Sequence, residues 1–139
     1  MIQKYLNYKN KDLGILMLRI ALGLVFVVHG YMKLTNITGT MAFFSTLNIP
    51  EFMVYVVIII ELLGGILMLA GFFTQYIGAT FAIIMVVAMG STGLRKGPFG
   101  GQELEMVLLF VSLAVAFIGG GRYSLETLFK EKTTPLVTS

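Results

Sequence analysis

Four apolar runs dominate the chain, at about Leu13–Lys33, Met53–Phe72, Gln75–Thr92 and Glu103–Gly121. They reach the roughly 20 residues a helix needs to cross a bilayer, the third and fourth being the shorter. The pattern predicts four membrane-spanning helices. The connection after the first run, about Leu34 to Phe52, is long. It holds Met41-Ala-Phe-Phe-Ser-Thr-Leu between Thr38/Gly39 and Asn48-Ile-Pro50. A short interfacial helix is expected there, with Phe43, Phe44 and Leu47 dipping into the headgroup region. The turn near Phe73-Thr74-Gln75 is so short that the second and third spans must be antiparallel neighbours. The glycine-rich connection Gly90–Gln102 suits either a mobile segment over a cavity or an ordinary flexible turn.

Composition supports the membrane assignment. The 139 residues are 57% hydrophobic and only 12% charged, with a mean hydropathy of +0.89. A soluble domain of this length could not hide that much apolar surface. The first run is too long for a signal peptide and lacks a small-residue cleavage site, so it is expected to be retained. The fold class expected is all-α: an integral membrane four-helix bundle over residues 13–128. A basic segment, 1–12, precedes it and a poorly ordered tail, 129–139, follows.

Lys4, Lys9, Lys11, Arg122, Lys130 and Lys132 lie on the side of the termini, against Lys33, Arg95 and Lys96 on the other. That excess predicts both termini to be cytoplasmic, in a multi-pass protein of the cell membrane. The net charge of +3 reflects this anchoring bias, and no nucleic-acid partner is implied. The absence of cysteine excludes a disulfide, a dithiol relay, a thiolate metal site and an iron–sulfur cluster held by this chain alone. With one histidine, no multi-histidine metal centre is expected either.

Glu61 stands within the second apolar run, where a lone charge costs on the order of ~3 kcal/mol or more. The first run offers three partners: Arg19, His29 and Lys33. At 100° per residue, Arg19, Gly23, Phe26, Gly30 and Lys33 form one stripe. Glu61, Gly65, Met68 and Phe72 form another, with Gly64 beside it. Small residues beside the ionisable ones allow close helix approach. At ~1.5 Å per residue, Glu61 falls in height between Arg19 and His29, within reach of either.

Each residue has a bland reading beside its functional one. Arg19 could extend to headgroups, Lys33 could anchor at the interface, and His29 could be an interhelical hydrogen-bonding residue. Glu61 is too deep to reach water, which leaves a structural ion pair or a site. Glu103 could simply favour its helix N-terminus through the dipole. Taken together, His29, Lys33, Glu61, Arg95, Lys96 and Glu103 could line one outward-facing pocket, with Arg19 closing it from below. A histidine bonded to a buried carboxylate exchanges protons near neutral pH. An apolar pocket with a few converging polar groups suits a quinone-like ligand, with Phe26 or Phe99 stacking on its ring.

At these residues the chain resembles the DoxX family of small four-helix membrane proteins. The matching pieces are Arg19-xxx-Gly23, His29-Gly30-Tyr-Met-Lys33-Leu34, Asn48-Ile-Pro50, Glu61-xx-Gly64-Gly65, Leu69-Ala-Gly71 with Thr74, Glu103-Leu104, and Gly119-Gly-Gly121-Arg-Tyr-Ser124-Leu125. They keep the family's order over about residues 13 to 128. The resemblance implies a membrane subunit of a redox system. The family's relatives include small subunits of thiosulfate:quinone oxidoreductases and members linked to catechol or quinone metabolism and oxidative stress. The wider group also contains cargo receptors and assembly chaperones, so fold alone does not fix chemistry.

The reading that follows is a quinone-linked oxidoreductase subunit that is not catalytic alone. His29 and Glu61 would manage a proton, and Arg19, Phe26, Lys33, Arg95, Lys96, Phe99 and Glu103 would contact ligand. No covalently bound cofactor and no metal are expected, and quinone would be ligand or substrate. The partners expected are the lipid bilayer, a redox protein and a second copy of the chain in a dimer. The rival readings are a non-enzymatic lipid- or protein-binding module held by an Arg19–Glu61 ion pair, and a small-solute transporter.

Overall fold

In the computed structural model, residues 2–93 and 101–133 are described, and they form six α-helices. These are α1 (Ile2–Thr35), α2 (Ile37–Thr46), α3 (Phe52–Ala70), α4 (Thr74–Gly93), α5 (Glu103–Ile118) and α6 (Leu125–Thr133). No strand occurs among the described residues. Two helices depart from the hydropathy pattern. The polar segment before residue 13 continues α1, because nothing between Ile2 and Leu13 breaks a helix and Lys, Gln and Leu favour one. The chain after Ser124 forms α6, which runs on through residue 133 into the 129–139 segment expected to be a poorly ordered tail. Ser124 caps it, its Oγ accepting from the Thr127 N–H at 3.2 Å.

Among the described residues, three helices are long and apolar enough to cross a membrane: α1 over Asn10–Thr35, α3, and α4 over Thr74–Thr92. The fourth run is shorter than expected. Gly119, at φ +83°, ends α5 at Ile118, and Gly120 and Gly121 do not resume it. Its 16 residues extend about 24 Å at the helical rise, short of a ~30 Å hydrocarbon layer. The short helix in the first long connection is α2, capped by the Asn36 side chain accepting from Gly39 N–H at 3.2 Å.

The helices pack as two close antiparallel pairs. In the pair α1/α3 the backbones touch at Gly23 and Gly65, where a Cβ on either would come within 2.9 Å of the other's carbonyl oxygen. In the pair α4/α5, Gly78 lies equally close to the Ser112 carbonyl. Gln102, just before α5, donates to Thr92 Oγ1 at 2.7 Å and to Met89 O at 3.3 Å, tying the far ends of that pair together. Phe26 of α1 and Phe81 of α4 stack between the pairs, centroids 3.6 Å apart and planes 7° from parallel. Leu22, Met68, Met85, Leu108 and Val115 complete this core.

At the end that carries the α3–α4 turn, several straps cross the chain. The Arg122 N–H donates to Asp12 Oδ1 at 3.0 Å, and the Glu126 N–H donates to Gly71 O at 3.3 Å. Glu126 Oε2 in turn accepts from the Phe73 N–H at 3.3 Å. Lys130 donates to Glu126 Oε1 at 2.9 Å. That bond is the main reason the Glu126 carboxyl is held below its ordinary value of 4.5.

Candidate functional site

Glu61 is buried, and its charge is met by one residue. Lys33 Nζ lies 2.7 Å from Oε1 and 2.6 Å from Oε2, so a single ammonium bridges both carboxylate oxygens. The register of α1 against α3 brings them together. Gly23 opposite Gly65 sets Gly30 against Glu61 and Leu62, and Lys33 is the next residue on that face, one turn along. The Glu61 side chain is 3% exposed and that of Lys33 24%. The lysine therefore enters from the half-exposed end of α1 instead of turning out to an interface.

This pair forms part of the wall of a cavity of about 430 Å³ between the two helix pairs. Its walls are predominantly apolar, with Val25, Phe26, Ile60, Ile84 and Met85 among them, and Phe43, Phe44 and Leu47 at the α2 end. The ionisable residues on it are His29, Lys33, Glu61 and Glu105. His29 is exposed and makes no side-chain hydrogen bond among the described residues, though it shares the cavity wall with Glu61. Glu105 Oε2 is buried with no hydrogen-bond partner among the described residues. A cavity of this make-up offers a shape-limited apolar space and a few convergent polar atoms that could orient a small ring.

Arg19 belongs to the opposite end. It is 1% exposed, and its guanidinium is surrounded by backbone carbonyls. Nε donates to Met68 O at 3.1 Å and Nη2 to Leu69 O at 2.9 Å. Nη1 donates to Gly120 O and to Tyr123 O, both at 3.0 Å. The first two are end-of-helix carbonyls, Met68 O also accepting from the Gly71 N–H at 3.2 Å, and the negative end of the helix dipole lies there too. Gly71, left-handed at φ +80°, is pressed against the guanidinium so closely that a Cβ would strike Nη2. A larger open cleft, about 680 Å³, lies beside the straps at this end, with Asp12, Arg122 and Glu126 on its walls. It is far more polar than the cavity beside Glu61 and makes the weaker candidate.

The DoxX family profile matches residues 14–93, from just before Arg19 to the end of α4. The chain belongs to the DoxX family. It is 35% identical over 125 residues to a Bacillus subtilis (strain 168) protein named "Putative oxidoreductase CatD", covering 89% of this chain and 93% of that one. It is 31% identical over 134 residues to the "Inner membrane protein YqjF" of Escherichia coli (strain K12), covering 89% and 98%. No solved structure matches it. The chain is thus a DoxX membrane protein with an oxidoreductase-named relative.

Several residues singled out in this DoxX sequence occupy different places from those expected. Arg19 does not pair with Glu61, so the Arg19–Glu61 clamp does not exist; backbone carbonyls hold the arginine and Lys33 holds the carboxylate. Nor does His29 bond to Glu61; Lys33 bridges both carboxylate oxygens instead. Phe26 lines the cavity, but one face of its ring is covered by Phe81. Glu103 is exposed and off the cavity wall, whereas Glu105 is on it. The missed signal was spacing: Glu105 heads the buried face of α5 that continues through Leu108, Ser112 and Val115. Arg95, Lys96 and Phe99 lie outside the described residues.

Proposed function

We propose that this DoxX protein is a membrane subunit of a redox system and binds a quinone-like or phenolic small molecule in the cavity between its helix pairs. The observation that carries this reading is the cavity's composition. An apolar chamber fit for a ring holds one bridging lysine–glutamate pair, with a histidine and a second glutamate on the same wall. Lys33, already donating to Glu61, would share its ammonium with a ligand carbonyl oxygen. His29 and Glu61 would take up or return the proton that accompanies reduction or oxidation of that oxygen. Electrons would come from a partner protein or substrate, in keeping with the oxidoreductase name of the Bacillus relative.

In this reading α5 makes the fourth crossing, its short length completed by the glycine turn 119–121, and the fold is a four-helix bundle. The Arg19 end, with both termini, faces the cytoplasm, as the basic residues favour, and the cavity opens toward the outer half. A dimer and a redox partner belong to the same proposal. Binding of menaquinone and ubiquinone analogues to the purified protein tests it. Glu61→Gln and His29→Ala should each weaken binding about tenfold, equivalent to ~1.4 kcal/mol. Undiminished binding in both variants would overturn the site.

A further inference from the structure

The two helix pairs meet along seams, and the one between α3 and α4 is closed only near its turn. There Gly64 leaves room for Phe81; a Cβ on Gly64 would come within 2.9 Å of the Phe81 ring. Farther from the turn, Val56 and Ile60 of α3 and Ile83 and Val87 of α4 line the cavity. Val56, Ile83 and Val87 are also 38%, 64% and 53% exposed. The same side chains therefore border the chamber and the outside of the molecule.

Depth decides what that outside is. Ile83 and Glu61 lie equally far along the chain from Phe72 in the turn, on α4 and α3. The distance is about 16 Å at the helical rise, near the middle of a ~30 Å hydrocarbon layer. The seam thus opens at the level of the buried carboxylate, where the surroundings are lipid tails and the bordering residues are apolar. The α2 end presents Phe43, Phe44 and Leu47 to the cavity, so the side chains of α2 on this wall are apolar too. A chamber of about 430 Å³ accommodates a ring and the first carbons of a chain, and a longer tail must lie elsewhere.

We infer that the ligand is an amphiphile dissolved in the bilayer, which enters sideways between α3 and α4. Its head reaches the Lys33–Glu61 wall while its apolar tail stays in the seam among lipids. This rests on the quinone-like or phenolic reading of the cavity and narrows the class to ring compounds carrying a long hydrocarbon tail. A tail left in lipid keeps its apolar surroundings throughout binding, so the polar wall need recognise only the head.

The test compares 2,3-dimethoxy-5-methyl-1,4-benzoquinone with its decyl-tailed form, bound to the protein in nanodiscs and expressed per mole of lipid. Val56→Trp/Ile83→Trp narrows the seam at exposed positions that tolerate bulk. Ile59→Trp/Ile66→Trp places the same bulk on an exposed α3 face away from the cavity. The expected result is a loss in tailed-ligand affinity or association rate in the seam variant only, at least tenfold beyond any change seen for the tailless ring. If both compounds bind the unmodified protein and the seam variant leaves the tailed one unchanged, lateral entry is overturned while the cavity reading stands. Equal loss in the control variant overturns it likewise. If neither compound binds the unmodified protein, the cavity reading fails and lateral entry fails with it.

Discussion

Arg19 and Glu61 are both charged, both almost fully buried and both on the α1/α3 interface, yet their surroundings are built on opposite plans. Arg19 meets four backbone carbonyls. Each of those hydrogen bonds joins a fixed donor fork to a fixed main-chain atom, and no small molecule is needed to complete the set. Glu61 meets one flexible ammonium at the wall of a cavity, beside a histidine and a glutamate oxygen that have no hydrogen-bond partner among the described residues. The first arrangement is saturated and the second is not. Saturated burial holds a fold together, whereas unsaturated burial leaves valence for a ligand.

The contrast can be broken most severely at Arg19. Arg19→Met should cost more than about 3 kcal/mol, since it strands several buried carbonyls at once. The loss would be read as a lower unfolding temperature in detergent. Arg19→Lys should recover little of it, because an ammonium cannot fork to four acceptors in that plane. Recovery by lysine would mean that charge alone matters there.

The Lys33–Glu61 pair should behave differently. Lys33→Met leaves Glu61 without its donor and should cost about 1–3 kcal/mol, less than at Arg19 because the carboxyl can take up a proton. The double change Lys33→Met/Glu61→Leu should restore most of that stability, as an apolar pair often replaces an ionic one without loss. A double-mutant cycle in thermal unfolding measures this. If the double variant is no more stable than Lys33→Met alone, the pair is structural in the manner of Arg19.

The smallest effect is expected outside the membrane, at Glu126. Its carboxyl is held below the ordinary value of 4.5, chiefly by the hydrogen bond from Lys130. A lowered folded-state value stabilises the protein above the unfolded value, and the contribution disappears as pH falls through the folded one. Unfolding temperature should therefore drop slightly more between pH 5 and acid in the parent than in Glu126→Gln. Salt should shrink the difference, because the pair is solvent-exposed.

The helices themselves were legible because hydropathy answers to the same solvent that selects them. The close approach of α1 to α3 left its mark in the glycines at 23, 30 and 65, whereas Gly64 faces Phe81 of α4. What the helical stripes could not supply was register. Arg19, His29 and Lys33 all lie within one sweep of α1, and only the contact of Gly23 with Gly65 decides which of them meets Glu61. The partners of Arg19 were hidden for another reason: every residue has a carbonyl, so side-chain patterns carry no trace of one used as an acceptor. Even so, the glycines at 71 and 119–121 marked the places where backbone comes close. The end of α5 was overestimated because glycines raise no polar signal while still ending a helix.

The Arg19 contacts also impose an order in time. Two of its acceptors, on Met68 and Leu69, are about fifty residues downstream, and the other two, on Gly120 and Tyr123, more than a hundred. During synthesis the arginine can complete the first half of its set once α3 has emerged, but the second half only after the chain beyond α5 has been made. Until then an incompletely coordinated cation sits at the bundle's end. The guanidinium therefore works as a latch that closes last, and a chain cut short before Gly120 would carry an open latch that quality-control proteases could recognise.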